Sequence, residues 1–488
     1  MDPTAMRPRR CGLATLAAVL ALAAVLVNQL LVPPIIGLAD NGDYSRLWNQ
    51  FGIHSTSPGG NTRYFGHVVR DWLVDPAKAW DTGFASPDVE LVKMAMHVNP
   101  LFALPGHFDI RSLAVVRILL FLGAAALLMQ AACRAGRWPA VLAFAALAVV
   151  FADVGYVSYF NSGYSEPSSF LSALYVVALF AALVARVPPS PLHLAGFFAA
   201  AVVLTVSKPQ NILVALPLAL LSLRLAALRA GIAWKAGVAA GAIAVVAAAV
   251  HVRTTPLPAW YQQQVRHIAV FNAILPSSPD PVADLQALGL PASLATLSGR
   301  YPWHPDAAKR QAELEATFHP VIDEAKIARF LLQRPSRVRH LLGLAAPQAL
   351  WLRPGLGNFT ADSGHPPGAR TTAHAWRSDA VQRYGPQSLR SLAVVAGLAA
   401  LLAVGHRRRA RTPQGRLPGE GVLCLLACAA LQYATVATLQ GHLNEEKGMM
   451  LFAFFFDAAI VAAAGLGLAM ILAPRAASRI RSPIRQRA

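Results

Sequence analysis

Acidic residues are scarce in this chain: 24 Asp and Glu among 488 residues, against 43 Lys and Arg, with all charged types together at 14%. Soluble globular chains carry about a quarter charged residues, so the deficit excludes an ordinary soluble fold. Cysteine is scarce as well. The four cysteines, Cys11, Cys133, Cys424 and Cys428, lie in or beside apolar runs and leave the polar loops with nothing to build a disulfide framework from. Cys424 and Cys428 are one helical turn apart but have no histidine partners, and His54, His67, His97 and His442 show no ligand spacing, so a structural metal site is excluded by pattern. Period-two alternation is missing at any length, which argues against a substantial sheet. No internal repeat is visible. No small-residue cleavage site follows the first apolar run, so that run is read as retained.

What the chain has is apolar sequence, with 55% hydrophobic residues and a mean hydropathy of +0.45. Ten stretches approach or exceed the roughly 18 residues that a membrane crossing needs: 12–32, 112–133, 139–158, 168–187, 193–206, 210–228, 234–252, 388–406, 419–440 and 449–473. The expected fold is therefore all-α, a polytopic membrane protein of about ten transmembrane helices with two large helical outer loops. The stretch 193–206 is too short to cross unaided, and Ser207-Lys208-Pro209-Gln210 breaks it from its neighbour because proline cannot continue a helix. The pair 193–228 reads as a hairpin whose tip dips into the membrane, tolerable where protein covers it.

Lysine and arginine set the orientation. With the N-terminus in the cytoplasm, the inner segments hold nineteen basic residues and two acids, Asp2 and Glu420, which accounts for nearly all of the formal charge of +19. The high pI is thus a topology signal and gives no reason to expect nucleic acid. Three regions follow: an N-terminal transmembrane module, 1–252, whose outer loop 36–111 carries an acidic motif; an outer helical loop domain, 253–387; and a C-terminal transmembrane module, 388–488, ending in a basic cytoplasmic tail. Within the loops, HVVRDWLVD (67–75), DVELVKMAMHV (88–98) and the long segment 304–344 read as amphipathic helices lying on the outer membrane surface. The expected location is a bacterial inner membrane, both termini cytoplasmic.

Five polar clusters interrupt the apolar background: LADNGDYSR (38–46), YFNSGYSEPSS (159–169), SKPQN (207–211), YQQQVRHIAVFNAILPSSPDP (261–281) and GHLNEEKGMMLF (441–452). They follow the first, third, fifth, seventh and ninth spans, so all five emerge on the outer face, which points to one composite site built from helix ends. Asp40 and Asp43 are suited to deprotonating a hydroxyl or to binding a divalent cation. Lys208, at the helix break, and the arginines Arg46 and Arg63 suit an anion such as phosphate. Glu166, Glu445 and Glu446 suit sugar hydroxyls, as do the amides of Asn161 and Asn211. Each has a plainer reading. Asp43 can cap the helix that follows it, Glu166 can cap its own, Lys208 can snorkel, and Glu445 and Glu446 can be solvated loop charges. Asp153 and Asp457, inside spans, can pair with Lys208 or Lys447. The sequon Asn358-Phe359-Thr360 is of a kind that arises often by accident.

The ordered set NGDY, NSGYSEP, SKPQN, SSPDPVADLQALGLP (277–291) and GHLNEEKGMMLF resembles bacterial glycan-biosynthesis hexose transferases, within the GT-C class of membrane glycosyltransferases. The resemblance spans most of the chain. It implies a polyprenyl-phosphate sugar donor, a glycan or glycolipid acceptor, and a base in the first outer loop, which is Asp43 or Asp40. The last motif departs from the pattern, because Lys447 is followed by Gly448 where a basic residue or histidine should directly precede the aromatic run. The expected activity is inverting hexose transfer, with no cofactor required and room for a divalent cation at the two aspartates. A transporter or flippase of lipid-linked sugars is the alternative; it would favour midplane charges and an internal repeat. A scaffold would not need carboxylates after so many separate spans.

Overall fold

The computed structural model describes residues 8–55, 64–440 and 445–480 of the chain. The first helix, Pro8–Leu30, shows what apolar composition does when it continues all the way round a helix. Leu22, Leu26 and Leu30, spaced four apart, are fully buried against protein, while Leu13, Leu16 and Leu20 face outward. An outward leucine face of that length suits lipid and not water. Among the described residues eight helices are long and apolar enough to cross a membrane. A bent pair, Arg137–Phe151 with Val154–Asn161, makes a ninth if it is one span, and Pro191–Val206 is apolar but short. All ten expected stretches are therefore helical, in an all-α polytopic membrane protein. The bend of 58° falls at Asp153, whose carboxylate accepts from the Gly155 amide at 2.8 Å and so starts a new helix.

The helix Arg111–Ala135 packs against Pro8–Leu30 on one side and Glu166–Ala185 on the other, and Pro191–Val206 and Ile232–Thr254 extend that layer. Leu389–Arg409, Pro413–Leu439 and Met450–Ile480 pack together, and Pro413–Leu439 joins the two groups through the 3₁₀ turn Pro209–Val214. Glu420, one of two acids expected on the inner side, accepts from Arg224 and Arg407, both at 3.1 Å. Three residues assigned to one side by charge alone thus meet at one end of the bundle. The four cysteines are buried and unbridged.

The outer loops differ from expectation in three ways. HVVRDWLVD is not a helix: Asp71–Val74 (β2) pairs antiparallel with Ile53–Ser55 (β1) and His107–Asp109 (β3). Strands of three or four residues are too short to leave a period-two signal. DVELVKMAMHV is helical, within Pro87–Val98, with Ser86 as its cap. Second, the helices of 304–344 do not lie with free apolar faces on a membrane. Leu314, Phe318, Ile327 and Phe330 bury one another in a core of their own with Phe271 and Leu285. Third, the loops are knitted together. Gly37 and Ala39 donate to Asn358 and Gly357 carbonyls, and Val68 donates to Phe359. Asn358 itself is buried, donating to the Gly37 carbonyl at 2.8 Å, so the sequon side chain is structural.

Candidate functional site

Asp40 builds the turn that presents Asp43. Its buried carboxylate accepts from the amides of Gly42 at 2.7 Å and Tyr44 at 3.3 Å, and Asn41 Oδ1 accepts from the Asp43 amide at 3.2 Å. Gly42 has φ of 104°, the region in which a side chain is strained, which is why the turn carries glycine there. The following helix, Ser45–Trp48, has no side-chain cap, so Asp43 is not spent on capping.

Asp43 instead points at cations. Lys447 Nζ lies 2.5 Å from its Oδ2 and Arg46 lies 2.8 Å from its Oδ1. Burial pushes the Asp43 carboxyl up, but Lys447 and Arg46 outweigh it and hold the group well below the usual carboxylate range. Lys447 also sits 4.3 Å from the Tyr164 ring centroid. Nearby, Glu166 at the start of Glu166–Ala185 accepts from Lys208 at 2.7 Å. Its place in the first helical turn suits a carboxylate electrostatically. The break at Lys208 is held open by amides: Gln210 donates to the Gly448 carbonyl, Gln440 donates to Gln210 Oε1, and Gln432 donates to Asn211 Oδ1. Gly448, the point where the last motif departs from the pattern, has a local reason. A Cβ there would lie 2.1 Å from Gln440 Oε1 and 2.9 Å from Val436 Cγ1.

These groups share a cavity of about 930 Å³. Each of the five polar clusters contributes to it: Asp43 and Arg46, Glu166, Lys208 with Gln210, Tyr261 onward, and Lys447. Among its described lining residues are five Lys or Arg (Arg46, Lys208, Arg253, Arg266 and Lys447) against three carboxylates (Asp43, Glu166 and Glu324). The surplus of positive charge favours an anionic guest. The lining also includes apolar side chains, Ile212, Leu213, Val252 and Leu439, supplied by three of the candidate spans. Such a cavity accommodates an amphiphile with an anionic head.

Other expected site residues lie elsewhere. Asn161 is buried and donates to the carbonyls of Leu30 and Ile36, both at 2.8 Å, tying the first span to the NSGYSEP turn. Asn211 is buried and donates to Ser169, Ser207 and Leu204. Glu446 is half-buried and is not among the residues lining the cavity. Arg63 and the side chain of Glu445 lie outside the described residues. Asp153 and Asp457 do not pair with Lys208 or Lys447: Asp153 accepts from Ser378, and Asp457 accepts from Arg377 at 2.9 Å and Tyr156 at 2.7 Å. Among the described residues no group of three or more His, Cys, Asp or Glu converges as a metal-binding set.

Sequence reasoning missed one buried cation and the partner of another. Lys447, weighed as a partner for Asp153 or Asp457, pairs with Asp43 instead. Arg117, fully buried, pairs with Asp88 at 2.9 Å and donates to the carbonyls of Tyr159, Phe160, Ser162 and Tyr164. It clamps the turn that delivers Glu166. Its position inside an apolar run carried the only warning, since an arginine there must have partners.

The fold and the cavity define a polytopic membrane protein whose charged site is assembled from helix ends. A family model described as the YfdI N-terminal transmembrane domain matches residues 5–479, and the chain belongs to that family. No curated protein matches it. No solved structure matches it.

Proposed function

We propose that the protein is an inverting hexosyltransferase of GT-C type, using a polyprenyl-phosphate-linked sugar as donor and a hydroxyl of a surface glycan or glycolipid as acceptor. The observation that carries this reading is the make-up of one cavity: more cations than carboxylates in its lining, Asp43 ion-paired among them, and apolar side chains drawn from spanning helices. Donor phosphate competes with Asp43 and Glu166 for Lys447, Lys208 and Arg46. Its arrival loosens these three ion pairs and exposes Asp43 to the incoming hydroxyl. The acceptor oxygen attacks the anomeric carbon, the bond from that carbon to the phosphate oxygen breaks, and its electron pair leaves with polyprenyl phosphate. The hydroxyl proton passes to Asp43, a step that typically contributes roughly 10²- to 10⁴-fold. The fixed cations stabilise the departing phosphate without reorganising, which is worth several kcal/mol in enzymes of this kind.

The cavity faces the outer side of a bacterial inner membrane in this reading. A cysteine at Ser298 then labels in intact cells with an impermeant thiol reagent, and one at Arg411 does not; the opposite pattern overturns the orientation. The direct test incubates purified protein with polyprenyl-phosphate hexose and envelope glycan. Cleavage of the donor with sugar appearing on the glycan supports the assignment. Movement of intact donor across vesicles without cleavage favours a flippase.

A further inference from the structure

A second cavity, of about 680 Å³, lies on the other side of Asp43. Asp43, Arg46 and Gln264 line both spaces. The two cavities are built from different material. The second takes its lining from residues 41–49, 64–65, 80–82, 260–264 and 303, none of which lies in a candidate span. It therefore belongs to the loop region.

Its aromatic content is unusual. Trp80, Trp260 and Trp303 are 55%, 39% and 52% exposed, and Tyr64 and Phe65 beside them are 43% and 55% exposed. Large aromatic rings normally bury most of their surface, and a cluster of exposed ones marks a binding surface. The cluster is also built. Trp260 Nε1 donates to the Thr82 carbonyl at 3.2 Å, Thr82 Oγ1 donates to the Arg46 carbonyl at 2.9 Å, and the Arg46 guanidinium lies 5.2 Å from the Tyr261 ring centroid and donates to Gln264. The Trp80 amide is anchored on the Asn49 carbonyl. Between the rings stand Asn41, Asn49, Gln264 and the Asp43 carboxylate, which supply both donors and acceptors.

We propose that this second cavity is a saccharide subsite that binds the acceptor glycan, with Trp80 and Trp303 as stacking platforms. A pyranose has a face of C–H groups and an edge of hydroxyls. The exposed indoles match the first, and the amides and Asp43 match the second. The volume lies within the roughly 300–1,000 Å³ of small-molecule sites. A sugar held there has its hydroxyls on one face of Asp43 while the charged end of the first cavity occupies the other. The inference rests on the transferase reading for the name acceptor, but saccharide binding at this place does not.

The test uses full-length protein in detergent, without donor. The probe is the neutral oligosaccharide fraction released from the envelope glycans of the native cells, fluorescently end-labelled. Saturable binding is expected. Trp80→Ala and Trp303→Ala should each weaken it about tenfold, Trp80→Phe and Trp303→Phe much less, with polyprenyl-phosphate binding unchanged. No saturable binding, wild-type affinity in both alanine variants, or displacement of the label by unrelated peptides would overturn the proposal. Tryptophan-dependent binding with no sugar transfer would sink the transferase reading and leave the subsite standing. Transfer with an unaltered acceptor KM in the alanine variants would do the reverse.

Discussion

Arg117 and Lys447 are both buried cations with an aspartate partner, Asp88 for one and Asp43 for the other, yet their surroundings differ. Arg117 and Asp88 have fully buried side chains, and four backbone carbonyls take further hydrogen bonds from the guanidinium. Lys447 is buried, but its partner Asp43 is 23% exposed and both line a cavity. A cation enclosed by protein on every side, as Arg117 is, leaves no room for a ligand. A cation whose main partner is one partly exposed carboxylate can trade that partner for a phosphate. The contrast separates charge that holds the fold from charge available for chemistry. It sorts the other pairs as well: Arg377 with Asp457 holds the helix Trp376–Tyr384 to a span, while Lys208 with Glu166 faces the cavity.

The sharpest way to break the comparison is to remove the cation from each pair. Arg117→Met leaves Asp88 buried without a counter-charge and four carbonyls without a donor, at a cost of about 3–5 kcal/mol. Folded protein should largely disappear from size-exclusion profiles, with the Asp88→Asn variant less affected. A normal yield and melting temperature for Arg117→Met would show that this pair is not structural. On the other side, Asp43→Asn should fold normally and lose at least about a hundredfold in transfer rate, by the magnitude of general-base catalysis. Near-normal turnover would remove Asp43 from the chemistry and leave its ion pairs as scaffolding. Asp40→Asn tests the neighbour: because Asp40 shapes the turn, its variant should lose stability along with activity, whereas the Asp43 variant loses activity alone.

A smaller effect is expected at Lys208. Removing one of several cations at the phosphate end should raise the donor concentration needed for half-maximal rate by about tenfold or more, since a charge-assisted bond contributes roughly 1.5–3 kcal/mol. The acceptor dependence should hold. An unchanged donor dependence in folded Lys208→Ala would assign the residue to its pair with Glu166 alone.

How much of this was legible in the chain depends on range. The spans were legible because hydropathy is local, and the break at Lys208 because proline is. The composite site was legible in outline, since five polar clusters on one side left few other places to meet. What stayed hidden was partnership. Asp43 and Lys447 are 404 residues apart, and nothing in either neighbourhood names the other. Asp40 and Asp43 look equivalent in LADNGDY, and only the turn geometry gives one to the backbone and the other to the cavity. The strands at 53–55, 71–74 and 107–109 are set by pairing across the loop, which short segments do not advertise. The aromatic cavity draws on segments from Asn41 to Trp303, and its three tryptophans, Trp80, Trp260 and Trp303, come from three different ones.

The subtlest expected effect concerns pH, and it tests whether Lys447 acts on Asp43 or only on donor phosphate. Asp43 accepts a proton only when ionised, so rate falls as pH drops through its pKa. In the wild type Lys447 and Arg46 hold that pKa below the ordinary 3.8, and the charge is present at every pH the protein tolerates. The same depression contributes stability above that ordinary value, lost as pH falls through the folded one. The kcat/KM profile should therefore show no acid limb from Asp43 between about pH 5 and 8. Lys447→Met removes a cation and its hydrogen bond, leaving burial to push the carboxyl up against Arg46 and the weaker pull of Lys208. An acid limb should then rise into the measured range, on top of any uniform loss from weaker phosphate binding. A variant that is slower but still flat across that range would confine Lys447 to the donor. Lys447 would then stay a chemical cation through phosphate alone, and the tuning of Asp43 would fall to Arg46 and Lys208.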